Sequence, residues 1–147
     1  MYLISILASL IVPLIVTFAQ HNPFTRYQWN NRLVLVFAES SSDSLAGEQL
    51  KQFTGEEVKL RDRDMLVFLI QDGSAREVLT DCVFFVDETE LRDLYSVDQH
   101  KSEVLLIGKD GGGKLVRKSM VQANKLYELI DRMPMRRAER RRKAGGS

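Results

Sequence analysis

The chain has 147 residues, 44% apolar and 28% charged, which is ordinary for a globular protein and enough for one core plus extensions. Its formal net charge of +1 conceals an asymmetry: residues 136–143 (RRAERRRK) carry six basic groups and one acidic group, a net of +5, so the remainder is near −4. A body of that sign lacks the basic face that phosphate neutralisation requires, which argues against specific nucleic-acid binding.

Leu3 to Phe18 is an apolar run broken only by Ser5, Ser9, Pro13 and Thr17. Two readings fit it. A secretory signal peptide would be cut after Thr17-Phe18-Ala19, leaving Gln20 as the mature N-terminus, although the n-region has no Lys or Arg. A retained membrane anchor is the alternative, although the run falls short of the roughly 20 residues that span a bilayer and contains Pro13. The first places the protein in the periplasm or outside the cell; the second tethers it to the membrane by residues 3–18.

Pro23 to Asn31 (PFTRYQWNN) is a polar-aromatic lead-in, with Trp29 expected to cap the edge of the core. Leu33–Ala38 is apolar without alternation, as in a strand buried on both faces. Leu45, Ala46, Leu50 and Phe53 form a helical stripe with Asp43 or Ser44 as N-cap. Glu56–Asp64 reads as a charged turn, and Met65–Ile70 as a second buried strand closed by Asp72-Gly73. Asp81–Val86 is a candidate short strand. Asp87 and Glu90 make a capping arrangement for a helix over 88–96, where Leu91, Leu94 and Tyr95 share a face. Glu103–Ile107 and Lys114–Arg117 flank a hairpin turn at Asp110-Gly111, with positive φ expected at both. Ser119 and Gln122 suggest a second capping box. Leu126, Leu129, Ile130 and Met133 line the last helix, and Pro134 stops it.

The blocks WNNRLVLVFAES (29–40), LLIGKDGGGKLV (105–116) and LYELIDRMPMR (126–136) are similar to a bacterial domain family of unknown function. Relatives of that domain occur in animal sushi-repeat and coiled-coil extracellular proteins. The resemblance implies a thioredoxin-like fold, nearest to peroxiredoxins, and an export tendency. Residues 75–102 match poorly, and Glu39 stands where the pattern has Pro. The element order β-α-β-(β)-α-β-β-α agrees: an α/β fold with a mixed four- to five-stranded sheet and helices on both faces. Residues 1–19 are then the export signal or anchor, 20–135 the domain, and 136–147 a basic disordered tail.

Chemistry is sparse. Redox work in such a fold needs a thiolate in the loop after the first strand. That loop, ESSSDS (39–44), has no cysteine, and its hydroxyls read as helix caps. The single cysteine, Cys82, can form no internal disulfide. It is either buried or liable to pair between chains, and its neighbours in CVFFV (82–86) favour a packed core thiol. Residues 108–114 (GKDGGGK) formally satisfy G-x-x-x-x-G-K, but Leu115 replaces the magnesium-binding hydroxyl and a strand follows where a P-loop needs a helix. His21 and His100 are the only imidazoles, and neither a metal spacing nor a Ser-His-Asp set emerges. Catalytic, cofactor and metal residues are therefore expected to be none.

The expected function is an exported, redox-inactive binding module whose partner is a protein or cell-envelope component. The alternative is an atypical oxidoreductase of oxidant defence. Arg136, Arg137, Arg140, Arg141, Arg142 and Lys143 are the candidate anionic-surface residues, competing with a merely solvated helix extension.

Overall fold

A computed structural model describes residues 22–146. The apolar run, its cleavage site and His21 lie outside the described residues. No described helix is long and apolar enough to cross a membrane.

The centre of the molecule is β1 (Arg32–Phe37), buried along its whole length. It runs parallel to β2 (Met65–Gln71) and antiparallel to β5 (Glu103–Ile107). The crossover from β1 to β2 carries α1 (Ser44–Lys51) and α2 (Glu57–Asp62). Strands β3 (Ser74–Glu77) and β4 (Val83–Phe85) extend one edge, and β6 (Gly113–Arg117) closes the other, in the order β4-β3-β2-β1-β5-β6. The sheet thus has six strands rather than four or five. Strand β3 escaped the sequence reading because SARE is short and polar. Its hairpin with β2 turns at Asp72 and Gly73, both left-handed at φ 49° and 70°, the backbone that Asp-Gly favours.

Because successive side chains of a strand point to opposite faces, β1 feeds two cores. Val34 and Val36 join Val67, Val104 and Leu106 beneath α1, α2 and α4 (Ala123–Asp131), where Phe53, Leu60, Leu126 and Ile130 pack. Leu33, Leu35 and Phe37 face Phe68, Ile70 and Leu105 beneath α3 (Glu88–Leu94) and a 3-10 turn at Pro23–Tyr27. There Phe24 packs edge-on against Phe68 at 5.2 Å. Each such fully buried side chain contributes about 1.5–3 kcal/mol.

The caps divide between agreement and correction. Asp43 Oδ1 accepts from the Ala46 N–H at 3.1 Å and Asp87 Oδ1 from the Glu90 N–H at 2.9 Å. The second capping box does not form: α4 starts after Gln122 with no side-chain cap. Glu56–Asp64 is not a turn but holds α2, a helix that buries only Leu60 and so shows no apolar stripe. The late hairpin turns over Gly108–Gly111, closed by a Gly111 N–H to Gly108 C=O bond of 3.0 Å. Only Gly111 has positive φ there, at 81°; Asp110 does not. Trp29 does not cap the core. It is 62% exposed at φ 68°, held by its backbone N–H on the Lys109 carbonyl at 2.6 Å.

Pro134 does end α4, yet it also begins α5 (Pro134–Gly145), occupying the first turn where a missing N–H is no loss. The expectation of a basic disordered tail over 136–147, outside the domain, is therefore corrected: residues 136–145 are helical. Arg136 is 3% exposed and packed onto the fold, so the domain continues past residue 135.

Candidate functional site

The loop after β1 meets the N-terminus of α1 beside the segment leading into β5. Asp43 organises it. While Oδ1 caps α1, Oδ2 accepts from the Glu39 N–H at 3.0 Å and from the Ser102 hydroxyl. Glu39 N–H also reaches Ser102 Oγ at 3.1 Å, and Ser40 and Ser42 lie 3.4 Å apart at Oγ. Glu39, Ser40, Asp43, Ser44, Lys101, Ser102 and Lys118 border an open hollow of about 420 Å³. Its hydroxyls face one another and a carboxylate, and among the described residues no imidazole is hydrogen-bonded to them to activate a nucleophile. His100 is exposed, and its backbone N–H, not its ring, donates to Asp98 Oδ1 at 3.3 Å.

Cys82 is exposed, not buried. The apolar look of CVFFV misled because β4 is an edge strand paired only with β3. Phe84 turns inward onto Phe24 and Phe68, and Val86 is buried. Val83 and Phe85 alternate outward, Phe85 being 93% exposed. A thiol reagent is therefore expected to label Cys82 in the native protein about as fast as in urea. Protection in the native state would place the thiol inside.

Residues 108–114 form the hairpin and no phosphate loop: Lys114 Nζ is drawn to Asp110 Oδ2 at 2.6 Å, and β6 follows. No group of three or more His, Cys, Asp or Glu side chains among the described residues is placed to hold a metal ion. Tyr127, whose phenol is pushed up to about 12 by burial and by Glu56, is a poor proton donor near neutrality.

The most elaborate polar constellation is the seat of α5. Arg136 donates to the Asp62 carbonyl at 2.6 Å, to the Asp62 carboxylate, and to Asp131 Oδ1 at 3.2 Å. One turn on, Glu139 accepts three bonds from Arg32, at 3.1, 3.3 and 3.3 Å, and meets Lys109 Nζ at 2.9 Å. Arg63 links Asp131 at 2.7 Å, and Lys109 links Asp64 at 2.7 Å. Burial would raise the carboxyls of Asp62 and Asp131. The bonds from Arg136, with Lys143 on Asp62 and Arg63 on Asp131, outweigh it and hold both below the usual range. Glu139 is lowered likewise, burial opposing and Lys109 and Arg32 prevailing.

This seat divides the six candidate residues. Arg136 is consumed in docking, and Lys143 pairs with Asp62 at 3.3 Å. Arg137, Arg140, Arg141 and Arg142 are exposed on α5, with no carboxylate in ion-pair reach among the described residues. The docking partners Arg32, Lys109, Glu139 and Asp62 were not singled out from sequence. The available signals were an arginine opening an apolar strand and a single acid within RRAERRRK.

No functionally curated protein matches the chain. Among solved structures, the reduced 2-Cys peroxiredoxin of Plasmodium vivax superposes with a TM-score of 0.53 at 11% identity, over 73% of this chain and 79% of that one. The fold is thus thioredoxin-like, as the order of elements and the resemblance implied. The family model for a domain of unknown function (DUF4174) matches residues 23–139, from the 3-10 turn to the Glu139 that locks α5, and the chain belongs to that family.

Proposed function

We propose that this is an exported binding module that adheres to an anionic component of the cell envelope through α5. One observation carries the reading: α5 is clamped by Arg136 and Glu139, while Arg137, Arg140, Arg141 and Arg142 are exposed and, among the described residues, free of carboxylates. A rigid helix presents these guanidiniums at fixed spacing, whereas a disordered tail would have to order itself on binding. Guanidinium groups also suit phosphate and carboxylate oxygens through paired donors. The full chain should adhere to immobilised polyphosphate at low salt. It should detach as the Debye length shrinks from about 10 Å at 0.1 M to about 3 Å at 1 M. No retention at low salt would sink the reading and leave α5 a solubilising extension.

Export rests on the apolar run ending at Thr17-Phe18-Ala19. N-terminal sequencing of protein from the envelope fraction should begin at Gln20; Met1 intact would favour the anchor.

The exposed thiol supports a second reading, an atypical oxidoreductase acting through Cys82. It requires peroxide consumption by purified protein that disappears in Cys82→Ser. Against it, Cys82 lies at the edge strand, remote in sequence from the loop after β1.

A further inference from the structure

Strand β4 stands at the edge of the sheet, with no further neighbour among the described residues. Its bonds to β3 fix which backbone groups are engaged. Glu77 N–H donates to the Cys82 carbonyl at 2.8 Å, and Val86 N–H to the Gly73 carbonyl at 3.0 Å. An antiparallel ladder bonds every second residue of a strand to one neighbour and turns the residues between to the other side. Cys82, Phe84 and Val86 therefore bond toward β3, while Val83 and Phe85 aim their N–H and C=O groups outward. An edge of this kind is a template for another strand. VFF carries no Lys, no Pro and no bulge to blunt it.

The side chains alternate to match. Phe84 is closed in, edge-on to Phe24 and Phe68, with the Arg26 guanidinium 4.2 Å from its ring. Val83 and Phe85 lie on the other face, 58% and 93% exposed. Their cross-strand neighbours there are Arg76 and Ser74, which offer no apolar cover. The fold gains nothing from so open an aromatic ring, whereas a binding interface takes its anchors from such rings.

Charge selects the occupant. Asp81 and Asp87 bracket the strand, and both are exposed. Arg76 stands 3.8 Å from Asp81, but both side chains are half or more exposed, so solvent screens that pair. If β4 paired with a second copy, only the antiparallel register centred on Phe84 would set Val83 against Phe85 in both directions. That register also places Asp81 opposite Asp87 on both sides of the centre, and like charges directly opposite destabilise a strand pair. A segment with basic residues at those two positions meets attraction instead.

We propose that β4 is a docking strand for an extended peptide segment of basic and apolar pattern. Apolar residues of the segment sit opposite Val83 and Phe85, and basic residues sit opposite Asp81 and Asp87. Main-chain bonds to Val83 and Phe85 hold the segment, and the Phe85 ring packs on its apolar side chains. The proposal is independent of the reading of α5 and uses no residue of that helix.

The test uses the full chain and the peptide acetyl-Lys-Thr-Val-Thr-Val-Thr-Lys-amide, whose valines and lysines fall at those positions. Amide hydrogen exchange at Val83 and Phe85 reads the pairing directly. Both amides should exchange fast in the free protein, and on the order of tenfold more slowly with peptide at about ten times its dissociation constant. Phe85→Ser should weaken binding about tenfold while leaving the melting temperature and the retention on polyphosphate unchanged. Glutamate in place of both lysines of the peptide should also weaken it, by about tenfold. A peptide N-methylated at both valines keeps its charge and side chains but lacks the donors that face β4, and it should protect neither amide. Equal binding of the N-methylated peptide would overturn the proposal by showing attraction of charge without strand pairing. Protection that needs no peptide and rises with protein concentration would overturn it in favour of a second copy. No protection even at about 1 mM peptide would overturn it and leave β4 a closed edge. The reading of α5 survives each of these results, because it stands or falls on polyphosphate retention alone.

Discussion

Replacing Glu139 by alanine should destabilise the domain by about 3–5 kcal/mol, the effect of leaving a buried charge without its counter-ion. Arg32 is 1% exposed and has Glu139 as its carboxylate partner. Without it, the guanidinium keeps the Arg63 carbonyl at 2.9 Å, a neutral acceptor that offsets only part of the desolvation. Lys109 is better placed, because Asp64 remains at 2.7 Å. A loss of that size should lower the melting temperature on the order of 10 °C for a chain of this length. The same physics gives a second variant an opposite outcome. Arg32→Met combined with Glu139→Leu removes both charges and should recover most of the stability, since a buried ion pair is often no better than an apolar pair of similar volume. If Glu139→Ala melts with the wild type, α5 is not clamped as described.

Acid should loosen the same seat. Asp62 and Asp131 are held below the ordinary 3.8 and Glu139 below the ordinary 4.5. As pH falls through that range, the unfolded chain takes up more protons than the folded one. The stability contributed by these carboxylates is therefore complete above about pH 5 and is lost as pH drops through their folded values. Asp62 is nearly half exposed, so solvent screens its share and Glu139 and Asp131 dominate. Denaturant midpoints measured downward from neutral pH should hold steady and then fall steeply. Glu139→Gln should start lower and fall less steeply, having one fewer carboxylate to protonate. Parallel curves for the two proteins would show that Glu139 titrates alike in the folded and unfolded chains.

The apolar centre of the fold was legible because its residues announce themselves locally. Leu33–Ala38 and Val104–Ile107 are continuous apolar runs, Asp43 and Asp87 cap the helices that follow them, and Asp110-Gly111 marks a turn. The edges were not. SARE and VFF are short, so alternation has too few residues to show. Cys82 was misplaced for that reason: apolar neighbours at an edge strand need not be inside. Helix α2 hid because EVKLRD buries a single leucine. Helix α5 hid more deeply. A run of arginines reads as solvated until its partners are known, and Arg136 finds its partners at Asp62 and Asp131, up to 74 residues away in sequence. No local pattern encodes that meeting, although Glu139 among six basic residues was a hint that this segment had something to pair.

The central claim is that α5 has an inner side that holds the fold and an outer side that binds anions. Two full-length variants separate the sides: Arg136→Gln, and the triple change Arg137→Gln, Arg140→Gln and Arg141→Gln. Each is melted and each is passed over immobilised polyphosphate at low salt. Arg136→Gln should lose several degrees of melting temperature, consistent with the partly exposed partners of that arginine, and keep its retention while folded. The triple variant should melt with the wild type and lose retention on the order of a hundredfold. If the triple variant is retained like the wild type, the outer arginines bind nothing of this kind and the account is contradicted.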